Sequence, residues 1–171
     1  MEQFGGKSKT RSSSFFLAIG TNIYIYILNR YVHSHYGNDY DWFLKCDDDT
    51  FVIMENLRLT LSQFSPNEPL YLGRRFRMLE DRRGYMSGGA GYALSRAALE
   101  QFVVVALNTP RFCRTYLPEG AEDLEMGKCL NGVGVKVADS RDEEGRQRFF
   151  PFTPTSHLRE QFGNFSFTII G

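Results

Sequence analysis

Apolar positions along this chain recur at spacings that predict alternating strands and helices. Trp42-Phe43-Leu44 is a short apolar run, read as a buried strand that closes on Lys45. Ile53, Leu57, Leu61 and Phe64 then recur at i, i+4, i+8 and i+11 and predict a helix with one apolar face. Ser65-Pro66-Asn67-Glu68-Pro69 stops it. Leu70-Tyr71-Leu72 predicts the next strand, and GYMSGGAGY over 84–92 a glycine-dense loop between short strands. Ser95 is placed to cap a helix whose Leu99, Phe102, Val103 and Ala106 share a face. Residues 119–130 open with acids and end near Lys128, which suits a helix dipole, with Asn131-Gly132 as its stop. Val133, Val135 and Val137 alternate as a strand ending at Asp139. Alternating strands and helices make the class α/β.

The two ends read differently. Residues 1–14 are polar, rich in Ser and Lys, and expected to be disordered. Residues 15–28 are the one long apolar stretch, preceded by Lys7, Lys9 and Arg11 as in a signal or anchor. With Gly20-Thr21-Asn22 in its middle it falls short of the ~20 residues a membrane span needs. A buried helix or strand is therefore preferred, with a marginal anchor as the alternative. Residues 23–36 are expected to form a helix leading into the turn Tyr36-Gly37-Asn38-Asp39. The tail, with Pro151, Pro154 and His157, reads as irregular.

A chain of 171 residues is one domain or a piece of one. Twenty basic residues balance twenty acidic ones, which argues against bulk nucleic-acid binding. Three cysteines, Cys46, Cys113 and Cys129, allow one disulfide and one free thiol. Cys113 and Cys129 are the natural pair across a short loop. Asn164-Phe165-Ser166 is a glycosylation sequon, relevant only to a lumenal chain.

Candidate chemistry starts at Asp47-Asp48-Asp49, which ends the Trp42–Lys45 strand. An acidic triplet is most often a solvated turn. Here apolar residues flank it on both sides, so the aspartates are expected to be embedded. Adjacent like charges repel, and a hard divalent cation relieves that cost. A second acidic pair, Glu122-Asp123, opens a helix; alone it reads as dipole-favoured, beside a metal-type triplet it becomes a general-base candidate. The glycine loop lacks the Lys-Ser/Thr of a P-loop and does not fit GxGxxG. Arg74, Arg75, Arg77, Arg82 and Arg83 form a basic stretch that faces phosphates or, slightly favoured, solvent. The triplet fits neither an aspartate-nucleophile phosphatase, because Phe51 holds the Thr/Val place, nor an EF-hand.

The segment Asp41-Trp42-Phe43-Leu44-Lys45-Cys46-Asp47-Asp48-Asp49-Thr50, with Glu55-Asn56-Leu57-Arg58 after it, resembles the metal-site segment of core 1 β1,3-galactosyltransferases. These belong to the wider Golgi β1,3-glycosyltransferase family. YLGRRF at 71–76, GYMSGGAGYALS at 84–95, EDLEMGKCL at 122–130 and DSRDEEGR at 139–146 agree in the same order. The resemblance covers 31–158 and implies a partial GT-A-type, Rossmann-like catalytic domain there, between a divergent segment 1–30 and a tail 159–171. It implies Mn²⁺ as cofactor, UDP-galactose as donor and a GalNAc-bearing glycoprotein or glycopeptide as acceptor, joined with inversion. It also implies a homodimer and a type II place in the Golgi. Mapped by motif, Asp123 with Glu122 is catalytic; Asp47, Asp48, Gly88 and Gly89 contact the donor; Asp47 and Asp49 bind metal. Cys113 and Cys129 match a family pair, which supports a lumenal disulfide.

The chain also departs from the family. About 46 residues precede the triplet, and 1–30 do not resemble the family's uridine-holding strands. Phe150 stands where the family has a histidine metal ligand, so His157 is the expected substitute. Cys46 replaces a small Ala. Two alternatives to an active enzyme follow. One is a catalytically impaired relative that binds a partner transferase or glycoprotein. The other is an incomplete product that does not fold stably alone.

Overall fold

The structure is a computed structural model and describes residues 14–17, 22–77, 83–113 and 121–157. Five strands form the main sheet: β1 (Ser14–Leu17), β2 (Trp42–Lys45), β3 (Leu70–Gly73), β6 (Tyr92–Ser95) and β7 (Lys136–Val137). A two-stranded ribbon pairs β4 (Arg75–Phe76) with β5 (Tyr85–Met86). The sheet order is β1-β2-β6-β3-β7; β1 runs parallel to β2 and β7 to β3, while β6 is antiparallel to both its neighbours. The helices are α1 (Asn22–Tyr36), α2 (Met54–Leu61), α3 (Arg96–Glu100) and α4 (Glu122–Gly132).

The central strands are buried on both faces, which is why they read as unbroken apolar runs. Side chains alternate between the faces along each strand. Phe43, Tyr71, Tyr92 and Leu94 join one core with Phe102, Met126 and Leu130; Trp42, Leu44, Leu70, Leu72 and Ala93 join a second with Leu57, Leu61 and Phe149. Lys45 pairs with Tyr92 and Tyr92 with Gly73, so these three share the last row of the sheet. That row is the floor of the site.

Several expectations are corrected. Ser14 opens β1 instead of closing a disordered segment, and residues 1–13 lie outside the described ones. Ile53 is 54% exposed, because it precedes α2 in extended conformation and is out of helical phase with Leu57 and Leu61. Ser95 does cap α3, its hydroxyl accepting from Ala98 N, but the run continues as a wide π turn (Gln101–Val105) and a tight 3-10 turn (Ala106–Asn108). That winding keeps Phe102, Val103 and Ala106 buried as expected. α4 takes in Asn131 and ends at Gly132, so the predicted stop falls in its last turn. Asn131 stays helical with its amide donating to Gly84 O at 2.8 Å, and the left-handed residue is Gly134 (φ 81°). Lys128 pairs with Glu125 at 2.6 Å. The valine strand shrinks to Lys136–Val137.

Gly127 lets α4 lie against the ribbon: a Cβ there would come within 2.4 Å of Tyr85 Cβ. A disulfide joins Cys113 to Cys129 of α4, both buried, with Cα atoms 4.9 Å apart; Cys46 is free. Arg74 is buried, Arg75 donates to Arg83 O at 2.8 Å and Arg83 to Asn131 O at 2.5 Å, so this basic stretch braces the ribbon. Arg82 and the sequon at Asn164 lie outside the described residues. Among the described residues, no helix is long and apolar enough to cross a membrane.

Candidate active site

The end of β2 and the start of α4 meet at Lys45. Its ammonium lies 2.6 Å from Asp47 Oδ1 and 3.0 Å from Glu122 Oε2, and it sits over the Tyr92 ring at 5.8 Å. The side chain is only 11% exposed. Tyr92, buried on the same sheet row, donates its hydroxyl to Glu122 Oε1. Each Glu122 oxygen therefore holds one partner, and the side chain is 13% exposed. Burial pushes its pKa up, against the pull of Lys45 and Tyr92. For Lys45, burial works to lower the pKa, but the Glu122 and Asp47 carboxylates together hold it above its ordinary value.

Asp123 sits one residue on. Its Oδ2 accepts from Gly88 N and its Oδ1 from Leu124 N, each at 2.8 Å. Two accepted bonds leave lone pairs on both oxygens. Gly88 and Gly89 belong to a tight turn, Gly88–Ala90, in which Gly88 is buried and Gly89 exposed. A Cβ on Gly88 would lie 3.2 Å from Lys45 Nζ, and one on Gly89 would lie 2.9 Å from Pro151 O. The close approach these glycines permit is thus made by the chain itself.

The aspartate triplet is less enclosed than its apolar flanks predict. Asp47 is 38% exposed, and Asp48 and Asp49 are exposed, because the chain leaves the sheet after Lys45 and turns at Asp47–Thr50. Phe51, the downstream flank, is itself 89% exposed and covers nothing. Thr50 Oγ1 accepts from Asp47 N at 3.1 Å and donates to Gly89 O at 3.4 Å, tying this turn to the glycine turn. Asp47, Asp49 and Gly89 line a cavity of about 1140 Å³ that also takes in Thr50, Phe150 and Pro151. Asp48, Glu122 and Asp123 are not in its lining. Five acids line it, among them Asp142 and Glu144, against two arginines. Arg146 is paired to Asp142 and Glu144, and Arg148 donates to Thr60.

His157 does not join the aspartates. Its Nε2 accepts from Phe152 N at 3.1 Å, and its ring stands edge-on to Phe150 with centroids 5.1 Å apart. Among the described residues, no three His, Cys, Asp or Glu side chains group to hold a metal. Asp47 and Asp49 offer two hard oxygen donors to one cavity, which fits a divalent cation that fills its shell from a diphosphate and water. Sequence reasoning missed Lys45 and Tyr92. The signal was a lone cation closing an apolar strand beside acids.

Residues 21–144 match the family model described as Fringe-like. The chain belongs to the Fringe-like family. Its α/β GT-A-type fold is the fold of that family. This Fringe-like chain is 46% identical over 132 residues to glycoprotein-N-acetylgalactosamine 3-beta-galactosyltransferase 1 of Xenopus laevis. The match takes in 77% of the chain and 35% of that relative. It is 33% identical over 117 residues to the beta-1,3-glucosyltransferase of Mus musculus, covering 67% of the chain and 22% of the relative. Against the human chondroitin sulfate glucuronyltransferase it is 36% identical over 111 residues, 62% and 14% of the two lengths. The chain thus spans about a third or less of these curated relatives. The resemblance to core 1 β1,3-galactosyltransferases stands on this likeness.

Proposed function

We propose that this chain carries the metal and base residues of an inverting β1,3-glycosyltransferase. The donor is UDP-galactose and the acceptor is GalNAc on Ser or Thr of a glycoprotein. One observation carries the reading: Lys45 joins the aspartate triplet to the Glu122-Asp123 pair, two acidic motifs 75 residues apart in sequence. Asp47 and Asp49 would hold Mn²⁺ at the cavity. Five acids outnumber the cavity's two arginines, and Arg146 is already ion-paired, so a diphosphate there needs added positive charge. Mn²⁺, when bound, supplies that charge to the departing UDP. Asp123 takes the proton of the acceptor hydroxyl as its oxygen attacks the anomeric carbon and the bond to UDP breaks. Gly88 N–H holds Asp123 in place, and Glu122, with both oxygens engaged, fixes Lys45 and Tyr92.

The 46%-identical relative is named for this transfer, and the segments that resemble core 1 β1,3-galactosyltransferases include every residue given a role here. The same reading puts the chain in the Golgi lumen, where the Cys113–Cys129 bond persists, and pairs it as a homodimer. Turnover with UDP-galactose and a GalNAc-peptide tests it. Mn²⁺-dependent transfer abolished by Asp123→Asn is the expected result, and transfer indifferent to that change contradicts it. A second reading, a relative that binds a partner transferase or glycoprotein without turnover, is favoured by the tail: Phe150 and the engaged His157 leave the triplet without a histidine. Its mark is a folded chain that shows no Mn²⁺-dependent UDP binding.

A further inference from the structure

Among the described residues Lys45 touches both acidic motifs, and its surroundings leave it little freedom. The strand backbone fixes its Cα on the last sheet row opposite Tyr92. Gly88 closes one side, since even a methyl there would come within 3.2 Å of the ammonium. Asp47 and Glu122 hold two of its directions at 2.6 and 3.0 Å. An ammonium has three N–H donors and can shift its weight between two acceptors without leaving its place.

We propose that Lys45 is a positioning residue that competes with a divalent cation for Asp47 and transfers its hold to Glu122 when the cation arrives. This rests on the reading that Asp47 and Asp49 hold that cation. A cation on Asp47 faces the ammonium across one carboxylate, and like charges at that range repel. Glu122 relieves the repulsion, because its Oε2 is already within reach and its Oε1 is anchored by Tyr92. Glu122 opens α4 beside Asp123, so occupation of the donor side tightens the helix start that carries the base. Lys45 thereby sets bare-metal affinity low and links metal arrival to the order of the acceptor side.

The test is Mn²⁺ binding itself, read from the loss of the free-ion electron paramagnetic resonance signal, with MnCl₂ as the probe. A structural side chain weakens binding when removed; a competitor strengthens it. Lys45→Met is expected to bind Mn²⁺ roughly tenfold tighter than wild type, since removing one nearby positive charge favours the ion by about that factor. Lys45→Arg, which keeps the charge, is expected to stay near wild type. Turnover by Lys45→Met is expected to fall in kcat more than it rises in KM for UDP-galactose. Lys45→Met strands the buried Glu122 charge, so folding is checked by circular dichroism, and the comparison is repeated as Glu122→Gln against Lys45→Met/Glu122→Gln. The double variant must again bind tighter. Unchanged or weaker Mn²⁺ binding by either folded Lys45→Met protein overturns the proposal. Failure of the underlying reading looks different: wild type and Lys45→Met alike take up no Mn²⁺, with or without UDP, and the Lys45 assignment falls with it.

Discussion

Glu122 and Asp49 are both carboxylates in the two acidic motifs that flank Lys45, yet one is walled in and the other is open. Glu122 is mostly enclosed, its side chain 13% exposed, with Lys45 on one oxygen and Tyr92 on the other. Asp49 stands exposed on a turn and faces a cavity already crowded with acids. The protein supplies its own partners to the first and leaves the second for something that arrives. A buried charge must be paired in advance, because leaving it unpaired costs far more than a surface charge does. An exposed carboxylate has no such need and keeps its lone pairs for a ligand. The pair on α4 is thus part of the folded scaffold, and the triplet is a binding edge.

That contrast can be broken from the scaffold side first. The disulfide ties α4 to the segment at Cys113 across a separation of 16 residues, which the triplet does not share. Cys129→Ser should cost about 3 kcal/mol in chemical denaturation, by the loop-entropy account. A loss well under 1 kcal/mol would show α4 held by packing alone. Tyr92→Phe comes next. It leaves Glu122 Oε1 buried without its donor and should cost about 1–3 kcal/mol. The same change made at an exposed tyrosine, Tyr31→Phe, serves as the reference and should cost much less.

The pH profile sharpens the comparison. Burial holds the Glu122 pKa above the ordinary carboxylate range, so the folded chain keeps that proton better than the unfolded one. The resulting stability is fully present below the ordinary carboxylate pKa and is lost as the pH rises through the raised value. Glu122→Gln should flatten this fall in plots of Tm against pH; an unchanged slope would mean another group carries it. The smallest stability effect is expected at the open end, where Asp49→Ala should stay within about 0.5 kcal/mol of wild type.

Much of the fold was legible because its signals are local. The apolar run Trp42–Leu44, the Ser95 cap and the i+4 spacing of Leu57 and Leu61 each report on neighbours a few residues away. What escaped depends on distant partners. Asn131 anchors the end of α4 by donating its amide to Gly84 O, 47 residues away, and Gln101–Val105 winds as a π turn that keeps Phe102 and Val103 buried. The site divides the same way. The two acidic motifs stand out in the sequence, but the triplet's exposure does not, since apolar flanks such as Phe51 turn out to lie on the surface. Tyr92 looks like one more aromatic among many until the sheet register sets it beside Lys45. His157, the expected substitute ligand, packs against Phe150 and Phe152 of the tail instead.

The most direct test of the account is calorimetric titration of UDP into the purified chain, with and without Mn²⁺, for wild type, Asp49→Ala and Asp123→Asn. The account predicts Mn²⁺-dependent UDP binding that is lost in Asp49→Ala and kept in Asp123→Asn. Absence of binding by a folded wild-type chain, or binding indifferent to Asp49→Ala, would contradict it.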